Sequence, residues 1–199
     1  MGPSQSVGGS MSENCIELDS PRLWLRQWRD EDLAPLAALC ADPEVMRYFP
    51  APLSRDESAA LLDRIRAHFD SHGFGPWALQ RKDSGELIGF TGLFEVGFAA
   101  PFTPAVEIAW RLARAHWRQG FASEAARVAL ACGFTRLGLD EVVSFTTTSN
   151  EPSQRVMQAI GMRRDPAEDF EHPDLPPGHP LRRHVLYRLR RAAWEASHG

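Results

Sequence analysis

A single segment near the middle of the chain restricts the possible folds more than any other feature. The apolar stretch Glu107–Leu112 is followed by a short connection that ends at Gly120. Small and apolar residues then recur at helical spacing from Ala122 to Phe134. The segment therefore predicts a β-strand that passes through a glycine turn into an α-helix, a unit typical of sheets that are covered by helices.

The start of this predicted helix is a potential anion-binding site. The first N–H groups of a helix have no partner within it and lie at the positive end of its dipole, so a phosphate of a nucleotide-type cofactor is the natural ligand. The alternative is an ordinary turn in which Gly120 only permits the bend. The segment lacks both the Gly-Lys-Ser/Thr ending of a P-loop and the three glycines of a dinucleotide-binding fold.

The composition argues against several classes of protein. Hydrophobic residues make up 43% and charged residues 24% of the 199 residues, which does not fit a disordered chain. No apolar run approaches the ~20 residues of a transmembrane helix. A net charge of −4 without a basic block argues against nucleic-acid binding. Because the 3 cysteines suggest neither a metal pair nor a disulfide framework, we expect a cytoplasmic protein with no membrane, nucleic-acid or metal partner.

Residues 1–10 are rich in glycine and serine and precede a second methionine, Met11. We interpret them as the remnant of an expression tag. No internal repeat and no linker divides the rest of the sequence. We therefore expect residues 11–199 to form one domain, since a chain of this length suits a single core.

The remaining elements are predicted from local signals. Ser54 and Glu57 form a capping box, apolar residues follow at helical spacing, and Gly73 is a typical stop. Acidic residues at 30–32 open an earlier helix that should end near Asp42. We predict strands at residues 23–28, 77–81, 86–94, 106–112, 141–147 and 184–189, a short strand near 162, and further helices at 121–137 and after 150. This order favours an α/β (α+β) fold with a mixed sheet flanked by helices.

The central segment resembles the acyl-CoA signature of the GNAT superfamily of N-acetyltransferases, Gln/Arg-x-x-Gly-x-Gly/Ala after a strand of the Glu-Ile-Gly-Tyr type. Trp117 takes the first position, Gly120 the fourth and Ala122 the sixth. The likeness is closest to the branch that includes ribosomal-protein N-terminal acetyltransferases, and it covers residues 23–190 in the order of the elements. Further matches are Asn150-x-x-Ser153, Gly161-Met162 and His184–Tyr187.

Three residues depart from the signature. Trp117 replaces the commoner Gln or Arg, Arg118 stands where glycine is usual, and Arg114 stands where proline is common. Because backbone N–H groups bind most of the pyrophosphate, we expect these changes to alter affinity rather than the kind of ligand. Arg118 can add a cation close to the phosphates.

The resemblance implies a GNAT-type, mostly antiparallel sheet whose central strands splay apart to admit acetyl-CoA as the co-substrate, without a metal. The backbone of Trp110, Arg111 and Leu112 would pair with the amides of the pantetheine arm, and their strand would carry a bulge. Asn150 would hydrogen-bond the pantetheine arm from the other side of the splay. The pyrophosphate would be bound by Arg118, Gln119, Gly120, Phe121, Ala122 and Ser123.

The resemblance also suggests two catalytic residues. Acetylation needs a neutral amine, although a lysine-type amine with a pKa of about 10.4 is charged at neutral pH. Glu107 is the candidate base, and the alternative is a solvent-facing or arginine-paired glutamate. Met157 occupies the place of the tyrosine acid that many GNAT enzymes use. Ser153 is therefore the candidate group at the thioester sulfur, and the alternative is a helix cap.

The acceptor is expected to be a peptide N-terminal α-amine or a small amine, bound by a monomer or a homodimer. A non-catalytic acyl-CoA-binding module is the alternative. The loop at residues 165–180 carries five carboxylates without Lys or Arg, which predicts a cationic acceptor, unless the loop is only solvated. Phe74 and Trp77 are further candidates for acceptor contacts, with a core position as the alternative. The histidines at 172, 179 and 184 match no common zinc pattern.

Overall fold

The computed structural model describes residues 15–198, so the interpretation of residues 1–10 as a tag remnant falls outside it. Within this range nine strands form one sheet: β1 (Leu18–Asp19), β2 (Leu23–Arg26), β3 (Pro76–Arg81), β4 (Leu87–Glu95), β5 (Val106–Leu112), β6 (Glu141–Thr147), β7 (Arg163–Arg164), β8 (Phe170–Glu171) and β9 (Arg183–Arg190). Their order is β1-β2-β3-β4-β5-β6-β9-β7, and β8 pairs with β9. Neighbouring strands are antiparallel except β5 and β6.

Helices cover both faces of the sheet. They are α1 (Leu33–Ala41), α2 (Arg55–His72), α3 (Phe121–Thr135), α4 (Glu151–Ala159) and α5 (Arg191–His198). Helix α1 packs against α2, and its Cys40 contacts Arg111 on one face of β5. Helix α3 packs on β4 and β5 from the other face and contacts α4. The predicted mixed, mostly antiparallel sheet with flanking helices is therefore confirmed.

The ends of α2 follow from the residues that the sequence analysis singled out. Ser54 accepts a hydrogen bond from the backbone N–H of Glu57, and the carboxylate of Glu57 accepts one from the N–H of Ser54. Gly73 ends the helix in the left-handed conformation, with φ of 75°. Both predicted boundaries of this helix are confirmed.

The sheet opens between its two central strands. Strands β5 and β6 are paired at one position, Glu107 with Val143, and diverge beyond it. The other neighbours of these strands are paired along most of their length, β4 with β5 and β6 with β9. The predicted splay is therefore present, and its closed end lies at Glu107.

The predicted bulge on β5 is wrong. The pairing of β4 with β5 keeps one register from Gly89–Leu112 to Glu95–Val106. The irregularity lies one strand away, where the register of β3 on β4 shifts between Leu79 and Gln80. In this chain β5 and β6 thus splay apart although β5 carries no extra residue in its pairing with β4.

Three elements were not predicted from the sequence: β1, β8 and α5. The two strands contain two residues each, too few for a periodic pattern. Helix α5 continues directly from β9 and places Trp194 against Phe134 of α3. None of the helices within residues 15–198 combines the length and apolarity that crossing a bilayer requires.

Candidate active site

One edge of β5 is open to the slot between β5 and β6. Ala113 donates its N–H to Ile88 at 2.8 Å, and Val96 donates to Ala105 at 3.0 Å, both in the register of β4 with β5. Because hydrogen-bonded pairs alternate along antiparallel strands, the odd-numbered residues of β5 bond to β4 and the even-numbered ones face β6. Trp110 lies beyond the last pairing with β6, so its N–H and C=O face the slot.

The neighbours of Trp110 are less suited to this role. The carbonyl oxygen of Leu112 also points to the slot side, but it accepts a hydrogen bond from the indole of Trp117 at 2.8 Å. Arg111 directs its backbone to Phe90 of β4. The expectation that Arg111 pairs its backbone with a pantetheine arm therefore needs correction, because the strand alternates and only its even-numbered residues face the slot.

The side chain of Arg111 lies on the face that carries α1. Its Nη1 donates to the sulfur of Cys40 at 3.2 Å, and its guanidinium lies over the rings of Phe49 and Phe90, 4.2 and 5.2 Å from their centroids. Its Nε is buried without a hydrogen-bond partner, and no carboxylate within residues 15–198 forms an ion pair with it. Arg111 is thus a cation beside the slot that contacts two aromatic rings and the sulfur of Cys40 rather than a carboxylate of the described residues.

The turn before α3 has the geometry of an anion-binding site. Arg118 and Gly120 both adopt positive φ, 58° and 82°. The first helical hydrogen bond runs from Glu124 N–H to the carbonyl oxygen of Gly120 at 3.0 Å. The N–H groups of residues 121–123 accordingly have no partner within the described part of the chain, and they lie at the positive end of the α3 dipole. This is the position that the sequence assigned to pyrophosphate.

A residue that the sequence analysis missed completes this turn. The guanidinium of Arg22 pairs with Glu124 at 2.6 Å, donates to the carbonyl oxygen of Gln119 at 3.0 Å, and lies 4.2 Å from the ring centroid of Phe121. Its pairing neutralises a carboxylate that would otherwise repel phosphate from the first turn of α3. No local signal could have identified Arg22, because 102 residues separate it from Glu124.

Glu107 is a buried carboxyl at the closed end of the slot. Its exposed fraction is 7%, and it makes no hydrogen bond or ion pair with residues 15–198. Its partners across the strands are Phe94 on β4 and Val143 on β6. This burial raises the pKa of Glu107 well above its usual range. The raised pKa makes the carboxylate a stronger base, able to take a proton from an ammonium group.

The same burial costs stability, and we expect Glu107→Gln to raise the melting temperature at neutral pH. Burial raises the folded-state pKa of Glu107 above its unfolded value. The stability that the protonated carboxyl contributes is therefore fully present below the unfolded pKa and is lost as pH rises through the folded pKa. Glutamine cannot ionise, so the variant does not lose this stability at neutral pH. Each kcal/mol of unfolding free energy that is recovered should raise the melting temperature by about 2–4 °C. Calorimetric scans at pH 7.5 and pH 4 measure this, and the gain should disappear at pH 4. A gain of the same size at both values would contradict a buried, titrating carboxyl.

The residues after β6 lie on the other side of the slot. Asn150 caps α4: its side-chain oxygen accepts from the N–H of Ser153 at 3.3 Å, and its side-chain nitrogen donates to Thr146 at 2.9 Å. The second N–H of that amide has no partner among residues 15–198. Ser153 is half-buried, and its hydroxyl makes no hydrogen bond with residues 15–198. Met157, in the place of the usual tyrosine, is a core residue with 1% exposure.

The prediction of an uncompensated acidic loop at residues 165–180 is wrong. Three of its carboxylates form ion pairs with arginines that lie outside the loop in sequence. The pairs are Arg164–Asp169, Arg188–Glu168 at 2.8 Å and Arg182–Glu171 at 3.2 Å. A charge count within the loop could not reveal these partners, which lie in β7, in β9 and at the residue before β9. The expectation of a cationic acceptor loses this support.

Two further expectations concerned aromatic and histidine side chains. Trp77 has no exposed surface and donates its indole N–H to the carbonyl oxygen of Ile16 at 2.6 Å, so the alternative of a core position is correct. Phe74 is half-buried and lies edge-on to His68, with the ring centroids 5.3 Å apart. The described residues contain no group of three or more His, Cys, Asp or Glu side chains that could bind a metal ion.

The comparison with protein families agrees with this geometry. The family described as Acetyltransferase (GNAT) domain matches residues 22–163, most of the chain. This chain belongs to the GNAT acetyltransferase family. It is 30% identical over 150 residues to the uncharacterised N-acetyltransferase YoaA of Bacillus subtilis, covering 74% of this chain and 83% of that protein.

Two more GNAT proteins illustrate the range of the similarity. The FsC-acetyl coenzyme A-N(2)-transacetylase of Aspergillus fumigatus is 32% identical, over 77% of this chain and 67% of that protein. The crystal structure of a GNAT-family acetyltransferase from Bacillus anthracis superposes with a TM-score of 0.75 at 22% identity, over 89% of this chain and 99% of that one. The second comparison supports the fold alone.

Proposed function

We propose that this GNAT protein transfers the acetyl group of acetyl-CoA directly to a primary amine, with Glu107 as the base. The observation that carries the proposal is the buried, unpaired carboxyl of Glu107 at the point where β5 and β6 separate. In the reaction the carboxylate takes a proton from the ammonium group, and the free amine attacks the thioester carbonyl. The new C–N bond forms as the C–S bond breaks, and the leaving thiolate takes up the second proton, which the attacking nitrogen loses on becoming an amide.

The cofactor would extend along the slot from the turn before α3. Its pyrophosphate would accept hydrogen bonds from the N–H groups of residues 121–123, beside Arg118 and Arg22. The pantetheine amides would pair with the N–H and C=O of Trp110, and Asn150 would donate from the opposite side. This arrangement would bring the thioester towards Glu107. Holding the amine and the thioester close together in this orientation would supply part of the rate acceleration.

The acceptor is proposed to be a small amine or a peptide N-terminal α-amine, the latter being the substrate class of the ribosomal-protein branch. One solved GNAT structure with a TM-score of 0.69 is a spermidine N-acetyltransferase from Vibrio cholerae in complex with CoA and spermine. At 20% identity it supports the fold only, so the amine must be identified by experiment. Thiol release from acetyl-CoA, measured with a panel of amines and peptides, tests the function. Tight acetyl-CoA binding without release would favour the alternative, a non-catalytic acyl-CoA-binding module.

Ser153 is proposed to donate a hydrogen bond to the thioester sulfur. We expect Ser153→Ala to lower kcat by about three- to ten-fold, the loss of one neutral hydrogen bond, with little change in acetyl-CoA affinity. Initial rates at saturating acetyl-CoA measure this effect. The matched control is Ser84→Ala, an exposed serine in the turn between β3 and β4. If a folded Ser153→Ala variant keeps the wild-type kcat, Ser153 does not act on the thioester and has only a structural role in the first turn of α4.

A further inference from the structure

A group of aromatic side chains lies on the sheet outside the main core. We call this group the aromatic wall; it comprises Phe98, Phe102, Phe145, Phe170, His172 and His184. Its members come from the loop between β4 and β5, from β6, from β8 and the residue after it, and from β9. Four separate parts of the chain therefore build one surface.

The rings of the aromatic wall contact one another closely but are not sealed from solvent. Ring centroids are 4.5 Å apart for Phe98 and His172, 4.9 Å for Phe102 and Phe170, and 5.0 Å for His172 and His184. Phe170 is buried, whereas the other five side chains are only half-buried. The wall thus presents aromatic surface that a ligand can still cover.

The aromatic wall adjoins Glu107 on the same face of the sheet. Val143, which pairs with Glu107, packs in one cluster with Phe170, and Phe145 lies two residues further along the same face of β6. At Phe145 strand β6 has already separated from β5, so this ring borders the slot. At the level of Phe145, β5 and β4 present the small residues Ala109 and Gly92 on this face, and Arg111 and its partner Phe90 follow at the next level.

The aromatic wall carries little charge. Burial lowers the pKa of both His172 and His184, so neither ring is cationic at neutral pH. The carboxylate of Glu171 next to the wall is paired with Arg182 at 3.2 Å and lies 3.7 Å from Arg183. A polycation would find little opposite charge there, whereas an uncharged ring would find apolar contacts.

We propose that the acceptor is a primary amine that carries an aromatic ring, which packs on the aromatic wall while its amino group meets Glu107. This inference rests on the proposed function and narrows its substrate class. Two residues of β6, about 7 Å, separate the level of Glu107 from Phe145. A linker of two or three carbons between nitrogen and ring spans this separation.

The test compares 2-phenylethylamine with n-propylamine and spermidine in the thiol-release assay. Burial of one phenyl ring should raise kcat/KM for 2-phenylethylamine about ten- to a hundred-fold over n-propylamine. Phe145→Leu, which keeps an apolar side chain but removes the ring, should lower the ratio of kcat/KM for 2-phenylethylamine to kcat/KM for n-propylamine several-fold. The matched control is Trp24→Leu, an exposed ring on β2 with 49% exposure, which should change neither.

Each outcome decides between the inference and the proposed function. Equal or better turnover of n-propylamine or spermidine overturns the aromatic acceptor but leaves the acetyltransferase function intact. A Phe145→Leu variant that changes the oligomeric state without changing amine preference also overturns it, because the wall would then contact a second copy. If none of the tested amines gives thiol release, the proposed function is overturned. In that case calorimetry of the two amines on the CoA-bound protein still tests the inference. Binding of 2-phenylethylamine without binding of n-propylamine supports the inference, and equal binding or no binding of the two amines overturns it.

Discussion

Replacement of Gly120 by glutamate should abolish acetyl-CoA binding. Gly120 adopts φ of 82°, where side chains are strained, and an added Cβ would lie 3.4 Å from the guanidinium of Arg22. The new carboxylate would stand beside the free N–H groups of residues 121–123, where it would occupy the anion site and repel phosphate. We expect Kd for acetyl-CoA to rise at least ~100-fold, equivalent to about 2.7 kcal/mol, in isothermal calorimetry.

A second glycine, beyond the opposite end of α3, provides a matched control. Gly138 follows the C-terminal end of α3, also has a positive φ of 71°, and its added Cβ would lie 3.8 Å from the guanidinium of Arg191. Gly138→Glu therefore introduces similar backbone strain and the same charge beside an arginine, but away from the slot. It should retain wild-type affinity. Unchanged affinity in a folded Gly120→Glu variant would remove the cofactor assignment from this turn.

Replacement of Glu107 by glutamine should lower kcat by about 10²–10⁴, the usual contribution of a general base. Glutamine keeps the shape of the side chain but cannot take a proton from the ammonium group. The turn before α3 and the edge of Trp110 are unchanged, so the Kd of acetyl-CoA should stay within about two-fold. Steady-state kinetics at saturating acetyl-CoA, together with calorimetry, separate the two quantities.

The pH dependence distinguishes a base from a positioning group. Because burial raises the pKa of Glu107, wild-type kcat/KM should rise with pH through that raised pKa, as the carboxyl ionises. The deficit of Glu107→Gln should shrink at high pH, where the amine loses its proton unaided. Glu95→Gln, an exposed glutamate at the end of β4, is the control and should keep the wild-type profile. A deficit of the same size at every pH would assign Glu107 to positioning.

The parts of the fold that follow from local signals could be predicted from the sequence. The capping box at Ser54 and the glycine at 73 fixed both ends of α2, and the glycine turn fixed the start of α3 at Phe121. Strands β5 and β6 have the predicted bounds, because each is a short segment rich in apolar or β-branched residues between turn residues. These features depend on neighbours in sequence, which a single sequence displays.

The features that depend on distant residues could not be predicted. The loop at residues 165–180 reads as acidic in sequence, yet Arg188 of β9 neutralises Glu168 in the folded chain. Arg22 reaches the turn before α3 from the start of β2, and the aromatic wall joins four segments. In each case the sheet brings the partners together, and no spacing rule connects them. The catalytic roles of Glu107 and Ser153 remain predictions that kinetics must test.

The contact between Arg22 and Glu124 also links the proposed cofactor site to the integrity of the sheet edge. The turn before α3 is complete only when the residues preceding β2 are docked, because Arg22 and Ser20 both bind Glu124. Any ligand that binds the completed turn therefore stabilises the docked state by mass action. Hydrogen exchange at the first strands would slow in proportion to cofactor occupancy, so the amides of this sheet edge would report saturation of the site.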